Sequence, residues 1–155
     1  MTKKLTSTLV TESAVINAPL STLWKLIKLE NFTKFYTGLT SSEIIPAEDE
    51  GKDVVKWTFE DGTVLIVREE EFSTVKHLVS FHILKCEPWG LPYTSVLSTI
   101  RMYPITSRDA AGGTFVEWSG HYSADASAEV VQDGHIKRRE ALVDLAKAAE
   151  QNNSN

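Results

Sequence analysis

The stretch SAEVVQDGHIKRREALVDLAKAAEQ, residues 127–151, organises the reading of the whole chain. It contains no proline. Ser127 suits an N-cap, and Glu129 falls in the first turn, near the positive end of a helix. Val131, Gly134, Arg138, Ala141, Leu142, Leu145 and Ala149 recur at steps of three and four, which places them on one helical face. Lys137, Arg139, Glu140, Asp144 and Lys147 fall mostly elsewhere. At about 1.5 Å per residue the helix is roughly 35 Å long, enough to cross a small domain. The buried stripe is uneven. It is apolar from Ala141 onward, but its first half offers Gly134 and Arg138 where a packed helix would carry leucines. The expectation is that the second half anchors the helix and the first half borders a space. The plainer alternative is a first half that lies in solvent, as charged positions usually do.

Upstream, residues 8–17 alternate, with Leu9, Val15 and Ile16 apolar, and read as a first strand. A turn at Asn17-Ala18-Pro19 leads to a short helix over 22–28, with Ser21 as expected N-cap and Leu23, Leu26 and Ile27 on one face. A second short helix is expected over 31–36, closed by Gly38. Six strands follow at meander spacing: 42–45, 54–60, 64–72, 78–85, 93–103 and 114–123. An acidic turn spans 46–52, and Asp61-Gly62 is the clearest hairpin signal in the chain. Strand, two short helices, six strands and a long helix make an α+β chain. Connections of hairpin length make sequential strands neighbours, so a seven-stranded antiparallel sheet should curl around the last helix.

The 155 residues read as a single domain over 1–155, long enough for a real core. A net charge of −5 gives no bulk attraction for nucleic acid, so no nucleic-acid partner is expected. The one cysteine, Cys86, rules out an intrachain disulfide and a cysteine-based zinc site, and fits a reducing, cytoplasmic setting. The N-terminus leads into an alternating strand rather than an apolar signal region, and no stretch approaches the length of a transmembrane segment. Residues 151–155, Gln-Asn-Asn-Ser-Asn, read as a disordered tail. Oligomeric state leaves no trace in the sequence.

The element order resembles the helix-grip fold of the START-like superfamily (SRPBCC, Bet v-type). VINAPLSTLWKLI at 15–27 resembles that family's strand end, Ala-Pro and first helix. GGTFVEWSGHY at 112–122 is similar in spacing to the last strand of the major birch pollen allergen, and VSFHILKCEPWGLPYTSV at 79–96 to the fifth and sixth strands of plant abscisic acid receptors. The likeness runs from Leu9 to Glu150. Where those receptors carry a Ser-Gly-Leu-Pro gate, this chain has Glu60-Asp61-Gly62-Thr63; where they carry a His-Arg-Leu latch, it has Pro88-Trp89-Gly90-Leu91. A hormone receptor of that kind is not expected. The superfamily holds polyketide cyclases and dehydratases, lipid carriers and hormone sensors. The resemblance therefore implies a cavity for an apolar ligand more strongly than it implies a reaction.

Period-two alternation sorts the strands into a concave and an outer face. On the concave side it places Val55, Trp57 and Phe59, then Ile66 and Arg68, then Phe81 and Ile83, then Tyr93, Ser95 and Leu97, and finally Val116, Trp118 and Tyr122. Gly134, Arg138 and Ala141 of the last helix complete the expected ligand-binding wall, with Trp89 on a Pro- and Gly-rich loop, 87–92, as a lid at the mouth. Apolar walls with a few polar groups are the composition of a small-molecule pocket; a filled core is the alternative. Arg68 shares parity with Val64, Ile66 and Phe72, so it should point inward, between Trp57 and Phe81. A buried guanidinium needs a partner, and a ligand carboxylate or phenolate would serve. Two structural readings stand beside this: an ion pair to Glu69, Glu70 or Glu71, or a parity slip at a bulge.

No HExxH, G-x-S-x-G, G-x-G-x-x-G or P-loop pattern occurs, and neither a metal nor another cofactor is expected. His82 and His121 fall on the outer face, His77 in a turn and His135 on the helix flank. If chemistry occurs, Arg68, Tyr93 and His135 are the catalytic candidates, set to polarise or deprotonate a carbonyl compound. The run Lys137-Arg138-Arg139 reads as a solvated face, with a cavity-mouth role as the other option. The functional expectation is binding of a small hydrophobic or aromatic molecule, with polyketide cyclase- or dehydratase-like turnover left open. The alternatives are a carrier or sensor without turnover, or a domain that acts through a protein partner.

Overall fold

The computed structural model describes residues 7–46 and 53–153. Most of the expected acidic turn over 46–52 lies outside the described residues. Seven strands form one sheet: β1 (Leu9–Ile16), β2 (Leu39–Ile45), β3 (Val54–Phe59), β4 (Val64–Ser73), β5 (Leu78–Glu87), β6 (Val96–Pro104) and β7 (Thr114–Tyr122). Their order is β1-β7-β6-β5-β4-β3-β2, and every neighbouring pair is antiparallel. Between β1 and β2 stand α1 (Leu20–Leu26) and a 3-10 segment, Leu29–Lys34; the long helix α2 (Ala128–Asn153) closes the chain. This is the helix-grip fold.

The Ser127 hydroxyl accepts the Val130 N–H at 3.2 Å, so it caps α2 as its position suggested. The whole stripe from Val131 to Ala149 is buried, Gly134 and Arg138 included. Leu142, Leu145 and Ala149 pack in the main core with Ile16, Leu23 and Ile27. Val131 joins a smaller cluster with Val10, Val96, Tyr122 and Ala126. The helix runs on through Gln151 to Asn153, into residues expected to be unstructured; the final two lie outside the described residues. Ser21 does not cap α1, which begins one residue earlier, after Pro19, with no side-chain cap. Phe32 of the 3-10 segment is wholly buried and stacks on Trp57 at 4.7 Å, with its edge contacts to Phe81 and Trp118 at 6.3 and 5.9 Å. The Trp57 indole N–H donates to the Leu29 carbonyl at 2.9 Å, so its one polar atom is satisfied inside the core.

Three shifts of phase set what each strand shows to the helix. In β4, Glu69 pairs with Phe81 but Glu71 pairs with Ser80, leaving Glu70 as an extra residue. Phe72 therefore shares its face with Leu65 and Val67, not with Ile66 and Arg68. Counting parity back from Phe72 across that bulge turns the strand inside out. In β5 the pairings Ile66–Lys85 and Val67–Ile83 leave Leu84 as the extra residue, which brings Cys86 onto the face of Ile83. In β6 the inward residues are Val96, Ser98, Ile100 and Met102, opposite Tyr122, Gly120, Trp118 and Val116. Ser95 precedes the strand and Leu97 points outward, because phase counted from Tyr93 crosses a segment that is not strand.

Candidate functional site

Between the first half of α2 and the β3–β7 side of the sheet lies a cavity of about 550 Å³. Its wall is aromatic: Trp57, Phe59, Phe81 and Trp118 from the sheet, Tyr36 from the loop after the 3-10 segment, and Tyr93 and Tyr122 at one side. Ile83, Leu65 and Ala141 add aliphatic surface. Phe32, packed behind Trp57, Phe81 and Trp118, stiffens that wall from the core side. The rim carries exposed Asp61, Glu129, Asp133 and Lys137, together with Leu91 and Pro92 of the β5–β6 loop.

Of the residues chosen from sequence, Trp57, Phe59, Phe81, Ile83, Tyr93, Trp118, Tyr122, Gly134, Arg138 and Ala141 lie on this wall. Val55 and Val116 are fully buried in the core but do not reach the space. Besides Leu97, five others do not meet it. Ile66 faces outward, between Lys56 and Lys85. Arg68 also faces outward: its Nε lies 2.5 Å from Glu70 Oε1, and the same oxygen stands 3.0 Å from His82 Nδ1. The bulge at Glu70 is the cause, so the expected entry of Arg68 between Trp57 and Phe81 does not occur. Ser95 is tied by its backbone N–H to the Ser123 hydroxyl, outside the cavity. Trp89 is 80% exposed and does not line the cavity; the later half of its loop, Leu91 to Tyr93, does the lining. His135 turns the other way and holds Glu12 of β1 at 2.8 Å, beside Arg139.

Ser98, Leu65 and Cys86 were missed through the same three phase shifts. Val130 and Lys137 were legible in principle, being four residues before and three after Gly134. Asp61 and Thr63 sit on the β3–β4 turn, and no pattern in the sequence says that a turn will lean over a cavity.

The site is centred on Arg138, which is only 7% exposed. Its Nη1 donates to the Tyr122 hydroxyl and to the Gly134 carbonyl, both at 3.0 Å, and its Nη2 donates to Ser98 Oγ at 2.9 Å. Its Nε is buried with no hydrogen-bond partner. No carboxylate stands within ion-pair distance of it among the described residues. Two glycines make room: a β-carbon on Gly120 would overlap Nη2, and one on Gly134 would lie 2.5 Å from the Tyr122 hydroxyl. Burial pushes the phenols of Tyr36 and Tyr93 up to about 12. At neutral pH both are neutral and serve as donors or apolar surface, not as bases. With Arg68 on the outer face and His135 on β1, the three catalytic candidates do not converge. Among the described residues no group of His, Cys, Asp and Glu could hold a metal ion.

Residues 7–150 match the family described as polyketide cyclase/dehydrase and lipid transport. The chain belongs to that family. No curated protein matches it in sequence. Among solved structures it is similar to the protein XoxI from Bacillus cereus, at 24% identity and TM-score 0.73, over 91% of this chain and 94% of that one. Ara h 8.0201 superposes with TM-score 0.71 at 18% identity, covering 92% and 97%. The di-domain ARO/CYC StfQ, from the steffimycin biosynthetic pathway, gives 0.68 at 16% identity; this chain covers 92% of itself and 45% of that protein. At such identities these likenesses establish the START-like, Bet v-type fold and nothing finer. Among the described residues no helix is long and apolar enough to cross a membrane.

Proposed function

We propose that the protein binds a small hydrophobic or aromatic molecule in the cavity between the sheet and α2. The observation that carries this reading is the space itself: about 550 Å³, with a wall built largely of aromatic rings. A well-packed core leaves few voids larger than a water molecule, and volumes of about 300–1,000 Å³ are those of ligand pockets. The family's description, polyketide cyclase/dehydrase and lipid transport, covers both turnover and carriage. The wall supports carriage more directly, because burial holds the phenols of Tyr36 and Tyr93 near 12 and the wall's carboxylates stand on the exposed rim. Cyclase-like turnover is the second reading, supported by the family and by the shape: such an enzyme works by folding a reactive chain in an apolar mould, with few catalytic groups. Native mass spectrometry of the protein purified from its own source tests the first reading. A retained molecule of a few hundred daltons, released on denaturation, is the expected result. Protein that is always empty, and that takes up no aromatic or aliphatic compound when challenged, would overturn it.

A further inference from the structure

We infer that the cavity selects a ligand bearing an oxyanion, an aromatic carboxylate, and that Arg138 with Ser98 and Tyr122 is the site that receives it. The inference rests on the ligand-binding reading above and specifies the chemical class of the ligand. The argument is a count of donors and acceptors. A guanidinium has five N–H donors and no acceptor. Three are used, on Tyr122, Gly134 and Ser98. The Nε donor has no partner, and one of the two on Nη2 is left over. Ser98 Oγ and the Tyr122 oxygen each accept a bond from Arg138, and neither donates its own hydroxyl proton to any described residue. Tyr93, edge-on to Tyr122 at 5.1 Å, is a further neutral phenol on the same wall. The groups left over are donors, while the three acceptor oxygens of the cluster, Ser98 Oγ, the Tyr122 hydroxyl and the Gly134 carbonyl, each already accept from Arg138.

These side chains are buried: Ser98 is 2% exposed, Arg138 and Tyr122 each 7%. Buried donors without acceptors and a buried cation without a counter-charge are both costly, so a partner that is acceptor-only and negative fits them. A carboxylate is such a partner, and its two oxygens suit the planar fork of a guanidinium. The rim does not supply the attraction, since Asp61, Glu129 and Asp133 outnumber Lys137 there. Selection for the acid therefore falls to the inner cluster. The rest of the wall, Trp57, Phe81 and Trp118, takes a flat apolar body.

The test uses 2-naphthoate and its methyl ester, titrated by calorimetry into the wild-type chain, Arg138→Met and Ser98→Ala. The acid should bind wild type more tightly than the ester. Arg138→Met should weaken the acid by about tenfold to a hundredfold and leave the ester within about twofold. Ser98→Ala should weaken the acid by a smaller factor in the same direction. Because Arg138 also ties α2 to β6 and β7, Arg138→Met can lose its fold; the wild-type protein then gives the answer alone. In its nitrogen-15 spectrum the Arg138 Nε–H resonance should move downfield with the acid and stay in place with the ester. Equal affinity for both compounds with a still resonance would overturn the oxyanion site while leaving the pocket standing. Binding of neither compound would overturn both.

Discussion

Arg138 can lie between α2 and the sheet because two residues beside it lack a β-carbon. Gly134 in a helix interior costs about 1 kcal/mol relative to alanine, a cost the sequence accepts where a methyl would strike the Tyr122 hydroxyl. Gly120 faces inward on β7, opposite Ser98, and its missing methyl is the space occupied by Nη2. Gly120→Ala should therefore push the guanidinium off Ser98 and destabilise the protein by about 1–3 kcal/mol, the range for overpacking a closed site. The same substitution made in Arg138→Met should cost much less, because the flexible methionine can yield. Urea unfolding of the two single variants and the double variant gives the coupling. Additive losses would mean that the strain at Gly120 lies in the strand rather than on Arg138.

The β5–β6 loop divides its residues between two tasks. Leu91, Pro92 and Tyr93 line the cavity, while Trp89 stands at the tip with 80% of its surface exposed. An indole that exposed contributes little to the empty protein, so Trp89→Ala should change stability by no more than about 0.5 kcal/mol. A lid that closes on a ligand would bring Trp89 down to the rim. Chymotrypsin cleavage after Trp89 should then slow markedly when the cavity is saturated with 2-naphthoate. Cleavage at an unchanged rate would show that the loop does not move. The elements themselves were legible from sequence because strong local signals agree: the cap at Ser127, the stripe from Val131 to Ala149, the Asp61-Gly62 turn, and Trp57 with Phe59 at period two. The inward placement of Arg68 failed at one bulge. Nothing local marks Glu70 as an extra residue, since a run of three glutamates reads the same in either phase. Once β4 is turned over, Arg68 joins Glu70 outside and the buried arginine of the wall is Arg138, a residue on the helical stripe.

At the scale of the molecule, the sheet and α2 close over a filled core at one end and an open space at the other. Ile16, Leu23, Ile27, Leu142 and Leu145 pack the first end; the second leaves Trp57, Phe81 and Trp118 facing a void. Side chains around a void lack contacts on one side, so the empty protein gives up stability that a ligand can restore. A ligand at about a hundred times its Kd adds about 2.7 kcal/mol, which for a chain of this size is roughly 5–10 °C in Tm. Ala141 lies on the wall, 1% exposed, on the helix facing the aromatic strands. Ala141→Leu keeps a strong helix former and extends apolar volume into the void. It should hold or raise the Tm of the empty protein and cancel most of the rise caused by 2-naphthoate. Scanning calorimetry of both chains, with and without that acid, reads the two effects together. If Ala141→Leu lowers the empty protein's Tm by several degrees, the space beside α2 is closed in solution. If the variant keeps the full ligand-induced rise, the acid binds somewhere other than this cavity.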